Sequence, residues 1–385
     1  METLWYVYFT FACYARILRQ ARFRCQVRRR DPPPPAGAAS PAREDEEIPM
    51  RDSTTSSIVD PQRRRLAAAL CATGAGLCPL SSRAQVEADY PHRPVRFIVP
   101  FPPGSGTDTS ARQYGRKLAE ITGQPVVVEN RPGGNGFIGI QALKSSPPDG
   151  YTVFIGTNST LATNVALFRR LPYDPVAEFE PVAGLLRAPA LIVVPPASPH
   201  RTLADYIAAA RREPGRIACA AGSAGYQLMG ELFSERAGVR LNLVPFKGAG
   251  DAVQAVAGAQ IDSAIVETTS AAALVRSGRL RALGIATTDR SPVLPDVPTV
   301  SEAGVPGFVI HAWAAAVVLT GTPRPIVEKL GGLLQRIAVM PEIREAFAAM
   351  NGEVLTMGPA DLRRFQLDEI DRWRRIAAVA KVEQQ

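Results

Sequence analysis

VRFIVPFPPGSGTDTSARQYGRKLAEITGQPVVVEN, residues 95–130, begins with an apolar run rich in β-branched residues, which predicts a strand. After a Gly/Ser turn, four apolar residues fall on one face of a predicted helix, namely Ala111, Tyr114, Leu118 and Ile121. Gly123 predicts the end of that helix, and PVVVEN predicts the next strand. A strand, a helix and a strand in this order imply a parallel sheet, so we expect an α/β fold.

The same plan recurs further along the chain. Residues 215–220 (GRIACA) predict a strand, the turn AGSAG comes next at 221–225, and residues 226–238 predict a helix that Gly238 ends. Residues 239–246 (VRLNLVPF) predict another strand. Two α/β lobes with similar openings are the simplest account of this repetition.

The C-terminal part indicates how the lobes are joined. Residues 309–319 (VIHAWAAAVVL) are apolar and long enough to cross between lobes, and the chain beyond residue 319 is almost all predicted helix. If those helices dock on the first lobe, the chain crosses twice and two strands form a hinge. We therefore expect a first lobe of residues 85–192 and 312–385 and a second lobe of residues 193–311.

The amino-acid composition and charge limit the classes of protein to which this chain can belong. The chain has 385 residues, 46% hydrophobic and 21% charged, which suffices for two cores. Its net charge of +8 is uneven, since residues 1–84 hold 13 Lys/Arg and 8 Asp/Glu and residues 85–385 hold 31 and 28. The small excess on the body is too scattered for nucleic-acid binding.

A basic and then apolar segment precedes the predicted lobes. Residues 63–85 read RRRLAAALCATGAGLCPLSSRAQ, with arginines, an Ala/Leu-rich stretch and small residues at 82 and 84. This pattern predicts a secretory signal peptide that is cleaved after Ala84. The apolar stretch is short for a membrane anchor, which is the lesser alternative. The arginine pair leaves open general secretory or twin-arginine export.

The segment before Met50 has a different character. Residues 1–49 are basic, then proline-rich, then acidic, which is typical of a segment that forms no packed core. A leader normally starts near its basic region, so we expect translation to start at Met50. The apolar run LWYVYFTFACY at 4–14 would be an anchor if it is translated.

The turn PFPPGSGTDTSAR, residues 100–112, resembles a phosphate-binding turn at first sight. It lacks the lysine of a Walker loop and contains only a G-x-G, so a nucleotide is disfavoured. What remains is a helix N-terminus with free N–H groups flanked by hydroxyls, which is an anion site without a cation. The alternative is that Thr107 or Asp108 merely caps the helix. The second turn, at 221–225, favours a carboxylate ligand held between two such helix starts.

Groups for catalysis or metal binding are scarce in residues 85–385. The histidines His92, His200 and His311 are far in sequence from any nucleophile, and Ser223 does not fit G-x-S-x-G. Cys219 is the one cysteine beyond residue 84, so an internal disulfide or a cysteine zinc site is excluded there. We expect no enzyme activity, no cofactor and no metal.

Seven motifs resemble, in order, those of the Bug family of solute receptors for tripartite tricarboxylate transporters. They are YPHRPVRFIVPFPPGSGTD, GQPVVVENRPGGNG, PDGYTVFIGTN, LPYDPVAEFEPV, VPFKG, GRLRALGIATTDRSPVLPDVPTVSEAGVPGF and GTPRPIVEKL. The resemblance runs from about Tyr90 to the C-terminus. It implies a two-lobed, type II periplasmic binding protein fold that closes on a small organic acid.

The resemblance also implies the site residues. The family holds a ligand carboxylate with backbone amides, hydroxyls and waters from the two strand–helix turns. Carried over by position, the first-lobe residues are Phe101, Pro103, Gly104, Ser105, Thr107, Asp108 and Asn158. The second-lobe residues are Ser223, Ala224, Gly225, Tyr226, Gln227 and Glu267.

This sequence departs from the family pattern in the second lobe. Gln227 stands where a histidine is common, and Tyr226 replaces a usually small residue. Val266 and Glu267 stand where an aspartate and a polar residue are more usual. Tyr226 would stack on an aromatic acid, and Glu267 would either pair with an ammonium group or face solvent.

These observations together predict a periplasmic, monomeric receptor that delivers a carboxylate to a membrane permease. A second hypothesis is a sensor whose closed form engages the periplasmic domain of a membrane kinase. A third is an enzyme that acts on organic acids. The sequence names neither the acid nor the permease.

Overall fold

The computed structural model describes residues 89–385. The predicted signal peptide, its cleavage after Ala84 and the segment before Met50 lie outside these residues. The strands are β1 (Val95–Val99), β2 (Val126–Asn130), β3 (Thr152–Thr157), β4 (Phe179–Val194), β5 (Ala218–Ala221), β6 (Asn242–Pro245), β7 (Ser263–Glu267), β8 (Arg281–Ile285), β9 (His311–Leu319) and β10 (Glu353–Val354).

Helices alternate with these strands up to β9 and dominate after it. They are α1 (Gly106–Thr122), α2 (Phe137–Lys144), α3 (Asn164–Leu167), α4 (Leu203–Arg212), α5 (Ala224–Ala237), α6 (Ala249–Ala257), α7 (Thr268–Arg276), α8 (Arg324–Ala338), α9 (Pro341–Ala348) and α10 (Pro359–Val379). A 3₁₀ turn lies at Gly134–Gly136 and a π-helical turn at Ser159–Thr163. In this part of the chain no helix combines the length and the apolar character that a membrane span requires.

The βαβ unit predicted from residues 95–130 is confirmed. Strand β1 pairs in parallel with β2 on one side and with β3 on the other. Helix α1 ends at Gly123, which takes the left-handed conformation with φ 68° and donates its N–H to the carbonyl of Ala119. Its buried face includes Ala111, Tyr114 and Leu118, because these positions recur at helical spacing.

The second α/β unit obeys the same rules. Strand β5 pairs in parallel with β6 and with β7. Helix α5 ends at Gly238, with φ 61°, as the sequence predicts. The alternation of strands and helices therefore gives the predicted mixed α/β fold.

One long strand belongs to both parts of the sheet. Residues 179–189 of β4 pair antiparallel with β9, and residues 190–194 pair antiparallel with β7 and β8. Strand β9 also pairs antiparallel with β3. We call β1–β3, β9 and β10 the first half of the sheet and β5–β8 the second half; β4 contributes to each.

The C-terminal helices cover the first half. Apolar residues of α8 pack with β1 and α1 in one cluster, which includes Phe97, Tyr114 and Leu330. Trp373 of α10, fully buried, belongs to a second cluster together with Phe179 of β4. This packing fixes the strand ends that carry the turn at residues 100–108.

Candidate ligand-binding cleft

A cavity lies where the carboxyl ends of strands from both halves meet. Four helices begin there, since α1, α5, α6 and α7 each contribute a residue of the first turn or the cap to its lining. We define the first wall as residues 101–108 and 157–159 and the second wall as residues 222–226, 249 and 267–269. The back is formed by Leu186 and Ala188 of β4 and by residues 312–314 of β9.

The first wall is built around the cap of α1. Ser105, not Thr107 or Asp108, is the N-cap, and its hydroxyl accepts the N–H of Asp108 at 3.2 Å. Gly104 has φ 82°, a left-handed conformation that favours glycine. The turn therefore presents the first N–H groups of α1 toward the cavity.

Asp108 holds this turn from behind. Its carboxylate accepts the N–H of Gly104 at 2.9 Å, the amide of Asn130 at 2.8 Å and the guanidinium of Arg112 at 3.1 Å. Asn130 also donates to the carbonyl of Phe101 at 3.0 Å. Burial alone would raise the pKa of Asp108, but the hydrogen bonds from Arg112, Gly104 and Asn130 outweigh it and lower the pKa. Asp108 is thus a support of the first wall.

The second part of the first wall meets the second wall through serines. Ser159 donates to the hydroxyl of Ser223 at 2.9 Å and accepts the N–H of Gly225 at 3.1 Å. Ser223 is the N-cap of α5 and accepts the N–H of Tyr226 at 3.5 Å. Hydroxyls therefore connect the walls across the cleft.

Glu267 is the charged residue of the second wall. It ends β7, is the N-cap residue of α7 and is 6% exposed. Its carboxylate accepts the N–H of Gly106 on the opposite wall at 3.1 Å. The hydroxyls of Tyr226 and Ser270 also donate to it. Burial and then the neighbouring Glu267 charge raise the pKa of Tyr226 well above its ordinary value, so Tyr226 stays a donor.

Glycines allow the walls to approach closely. A Cβ atom on Gly106 would lie 2.3 Å from Thr269 Oγ1, and one on Gly225 would lie 2.4 Å from Asn158 Nδ2. A Cβ on Gly248, just before α6, would lie 2.5 Å from Cδ of Pro102. The closed arrangement therefore depends on residues without side chains at three crossing points.

The back of the cavity contains Trp313, which was not among the site residues predicted from the sequence. Its indole N–H donates to the buried carboxylate of Glu369 at 2.8 Å, and the indole of Trp373 donates to the same oxygen at 3.1 Å. Its backbone N–H lies 3.5 Å from Asn158 Oδ1. The pattern of β9 predicted a crossing strand but gave no signal for which of its residues face the ligand.

The cavity brings together seven of the thirteen site residues that were predicted from the sequence. They are Phe101, Ser105, Thr107, Asn158, Ser223, Tyr226 and Glu267. The other six lie next to it without lining it: Pro103, Gly104, Asp108, Ala224, Gly225 and Gln227. Further lining residues that were missed include Gly106, Thr157, Ser159, Gly222, Ala249 and Thr269.

The helix N-termini at the cavity favour an anion, whereas the carboxylate of Glu267, which also lines the cavity, opposes one. Each helix N-terminus carries about half a positive charge and N–H groups that have no backbone partner within the helix. Of the described residues that line the cavity, none is Lys, Arg or His. Lys247 lines an adjoining groove that shares Phe101, Gly222 and Ser223 with the cavity. The free volume is about 30 Å³, which is room for about two waters, so a ligand enters only if the walls or their side chains move.

Comparison with known proteins gives consistent matches. BugT of Bordetella pertussis is 37% identical over 308 residues, 79% of this chain and 94% of BugT. The structure of the periplasmic binding protein BugD is 31% identical, with a TM-score of 0.73 over 77% of this chain and 100% of BugD.

Two similar structures from Rhodopseudomonas palustris contain ligands. Rpa4515 with adipate is 32% identical, with a TM-score of 0.74 over 77% of this chain and 100% of Rpa4515. MatC with bound malate is 32% identical, with a TM-score of 0.71 over 74% of this chain and 99% of MatC.

Fold and cleft together define a type II periplasmic binding protein. Residues 110–381 match the family described as the tripartite tricarboxylate transporter family receptor, and the chain belongs to that family. The resemblance stated from the sequence is thereby confirmed. So is the prediction of a binding protein rather than an enzyme, because the family is one of receptors.

Proposed function

We propose that this receptor captures a small organic acid between its walls and delivers it to a membrane permease of the tripartite tricarboxylate type. The observation that carries the proposal is the start of four helices at one buried cavity. Their N–H groups and dipoles stabilise a carboxylate without a cationic side chain. Similar proteins with adipate and malate support the same ligand class. The permease is proposed from the family's name.

The same proposal includes a hinge. We assign residues 85–192 and 312–385 to the first lobe and residues 193–311 to the second. Pairing of β4 with strands of both halves supports β4 as one connecting strand, and we assign the second crossing to residues 309–318, which lead into and along β9. Ligand binding shifts the population toward the closed form, and the permease docks only that form.

Export belongs to the proposal as well. Cleavage after Ala84 would release the receptor into the periplasm, where this family of binding proteins acts. Mass spectrometry of the protein purified from the periplasm tests this assignment. A mature N-terminus at Gln85 is expected, and an N-terminus upstream of residue 63 would contradict a cleaved leader.

Ligand contact is proposed for the lining residues predicted from the sequence, and support for the others. Phe101, Ser105, Thr107, Asn158, Ser223, Tyr226 and Glu267 would touch the ligand. Pro103, Gly104 and Asp108 would shape the first-wall turn, and Ala224, Gly225 and Gln227 the start of α5.

A thermal-shift screen tests the ligand class directly. The panel contains mono-, di- and tricarboxylates, aromatic acids and amino acids, and the receptor is freed of copurified ligand. A ligand at about 100 times its Kd adds about 2.7 kcal/mol and should raise the Tm by roughly 2–5 °C. A shift confined to related acids supports the proposal, and no shift with any acid contradicts it.

A substitution at Thr157 tests whether the acids found in the screen bind in this cavity. It is 6% exposed and lines the cavity, and no partner for its hydroxyl occurs among the described residues. Thr157→Val should raise the Tm of the unliganded receptor, because an unpaired buried hydroxyl costs about 1–3 kcal/mol. It should weaken acid binding by roughly tenfold if the ligand accepts a hydrogen bond from that hydroxyl.

Thr163 offers a matched control. Its hydroxyl is also buried without a partner in the described part of the chain, but Thr163 does not line the cavity. Thr163→Val should raise the Tm and leave the Kd unchanged. Equal acid binding by both variants would place the carboxylate elsewhere.

A further inference from the structure

Glu267 occupies a place in the cleft that a ligand carboxylate would otherwise take. Its side chain lines the cavity, and one of its oxygens accepts the N–H of Gly106, the first residue of α1. Gly106 and Glu267 lie on opposite walls. The positive end of α1 therefore already faces a carboxylate that belongs to the protein.

The hydrogen bonds identify Glu267 as an acceptor. All three groups bonded to it are donors: the N–H of Gly106 and the hydroxyls of Tyr226 and Ser270. The carboxyl oxygens of Glu267 therefore act as acceptors in all three hydrogen bonds. Of the described residues that line the cavity, Glu267 alone carries a charged side chain, so its partners there are dipoles.

A ligand carboxylate has a different place available. The starts of α5 and α6 line the cavity through Ser223 and Ala249, and α6 has no side-chain cap bond. The buried hydroxyl of Thr157, without a partner among the described residues, also lines the cavity. We place one ligand carboxylate on this side once the walls have moved to admit it, and the remainder of the ligand then faces Glu267.

A second ligand carboxylate would face the charge of Glu267 in a buried space without a cationic side chain, where repulsion between like charges is strong. An ammonium group would instead be a donor to Glu267 and neutralise it. On the basis of the proposed function, we infer that Glu267 makes this receptor select acids that carry one carboxylate and one ammonium group.

Matched ligand sets test this inference on the native receptor. Each set contains a monocarboxylate, the dicarboxylate of the same carbon number and the acid with an ammonium group, such as butyrate, succinate and 4-aminobutyrate. Sets of three to six carbons, with 2-amino acids added, cover different spacings. The ammonium-bearing member of at least one set should bind at least about tenfold tighter than its dicarboxylate.

Glu267→Gln keeps the shape of the side chain and removes its charge. The variant should lose roughly tenfold or more in affinity for the ammonium-bearing acid and gain affinity for the matched dicarboxylate. Ser270→Ala is the control, because it removes one hydrogen bond to Glu267 and keeps the charge. Its preference for the ammonium-bearing acid should persist or increase modestly, because Glu267 keeps its charge and loses one donor; only Glu267→Gln should reduce that preference.

The outcomes separate this inference from the proposed function. Tighter binding of a dicarboxylate by the native receptor overturns the inference and leaves an organic-acid receptor in place. An unchanged preference in Glu267→Gln also overturns it. If no member of any set binds but another acid of the thermal-shift panel does, the inference fails alone; if no acid of either panel binds, the proposed function fails with it.

Discussion

Each wall of the cleft has one acidic residue at the start of a helix. The two residues differ in whether they face the cavity. In the first wall, Asp108 lies behind the turn and accepts hydrogen bonds from Gly104, Asn130 and Arg112. In the second wall, Glu267 faces the cavity and accepts a hydrogen bond from across it. An acid behind the turn fixes the wall, whereas an acid inside the cavity changes which ligand charge is tolerated.

This contrast divides the site into a supporting part and a selecting part. The first wall offers hydroxyls and the start of α1, where the N–H of Gly106 already donates to Glu267. The second wall adds Tyr226 and Glu267, to which we assign contact with the remaining groups of the ligand. Variants of the supporting residue Asp108 should therefore change stability, and variants of Tyr226 and Glu267 should change ligand preference.

The largest expected effect is on the support of the first wall. Asp108→Ala leaves the N–H of Gly104 and the side chain of Asn130 without their acceptor, and should lower the free energy of unfolding by about 2–3 kcal/mol. Chemical denaturation measures this loss. Asp205→Ala is the control, since the exposed Asp205 completes the capping box of Thr202 at the start of α4 and does not line the cavity. It should cost about 1 kcal/mol and leave ligand affinity unchanged.

Lowering the pH should remove the stability that Asp108 contributes. Because the pKa of Asp108 is lowered in the folded protein, its contribution to stability is present above the ordinary pKa and is lost as pH falls through the lowered value. Between pH 4 and pH 2 the native receptor should therefore lose more stability than Asp108→Asn does. Parallel losses for both proteins would show that Asp108 does not support the wall electrostatically.

The next prediction concerns the close approach of the two walls. Gly248→Ala places a Cβ 2.5 Å from the rigid ring of Pro102, so the walls cannot reach the same closed position. We expect ligand affinity to fall by about 1–3 kcal/mol in binding free energy while the unliganded receptor stays folded. Titration followed by the fluorescence of Trp313 at the back of the cavity measures the Kd.

Gly250, in the first turn of α6, is the matched control. A Cβ there would lie 3.6 Å from the nearest atom of Gly104, an ordinary van der Waals contact. Gly250→Ala should bind ligand as the native receptor does. Similar losses in both variants would indicate damage to α6 rather than a block to closure.

The first wall could be predicted from the sequence because its signals are local. A strand, a Gly/Ser turn and an apolar helical face lie within residues 95–123, and helix geometry alone directs the first N–H groups outward from the strand end. The end of α1 at Gly123 results from the same local rules. Local patterns thus determined the βαβ unit and the turn.

The rest of the cleft depends on contacts between distant segments. Trp313 lines the cavity because β9 lies between β3 and β4, and no residue near it in sequence indicates this pairing. Asp108 faces away from the cavity because Asn130, at the end of β2, meets it there. The orientation of Glu267 was left open between solvent and ligand, since strand pairing with Ala190 of β4 decides it.

The smallest expected effect concerns the hydroxyl of Tyr226 in the second wall. Tyr226→Phe keeps the ring and removes the hydroxyl that donates to Glu267, which should cost about 0.5–1.5 kcal/mol of stability. Tyr206→Phe is the control. It removes a buried hydroxyl that bonds to Ser263 at 2.9 Å outside the cavity lining, and it should cost a similar amount of stability.

Only Tyr226→Phe should alter ligand binding. Its Glu267 has lost one donor and gains more from a ligand ammonium group, so affinity for an ammonium-bearing acid should rise roughly threefold to tenfold. Equal ligand affinity in the two variants would mean that the Tyr226 hydroxyl and the ligand do not share Glu267.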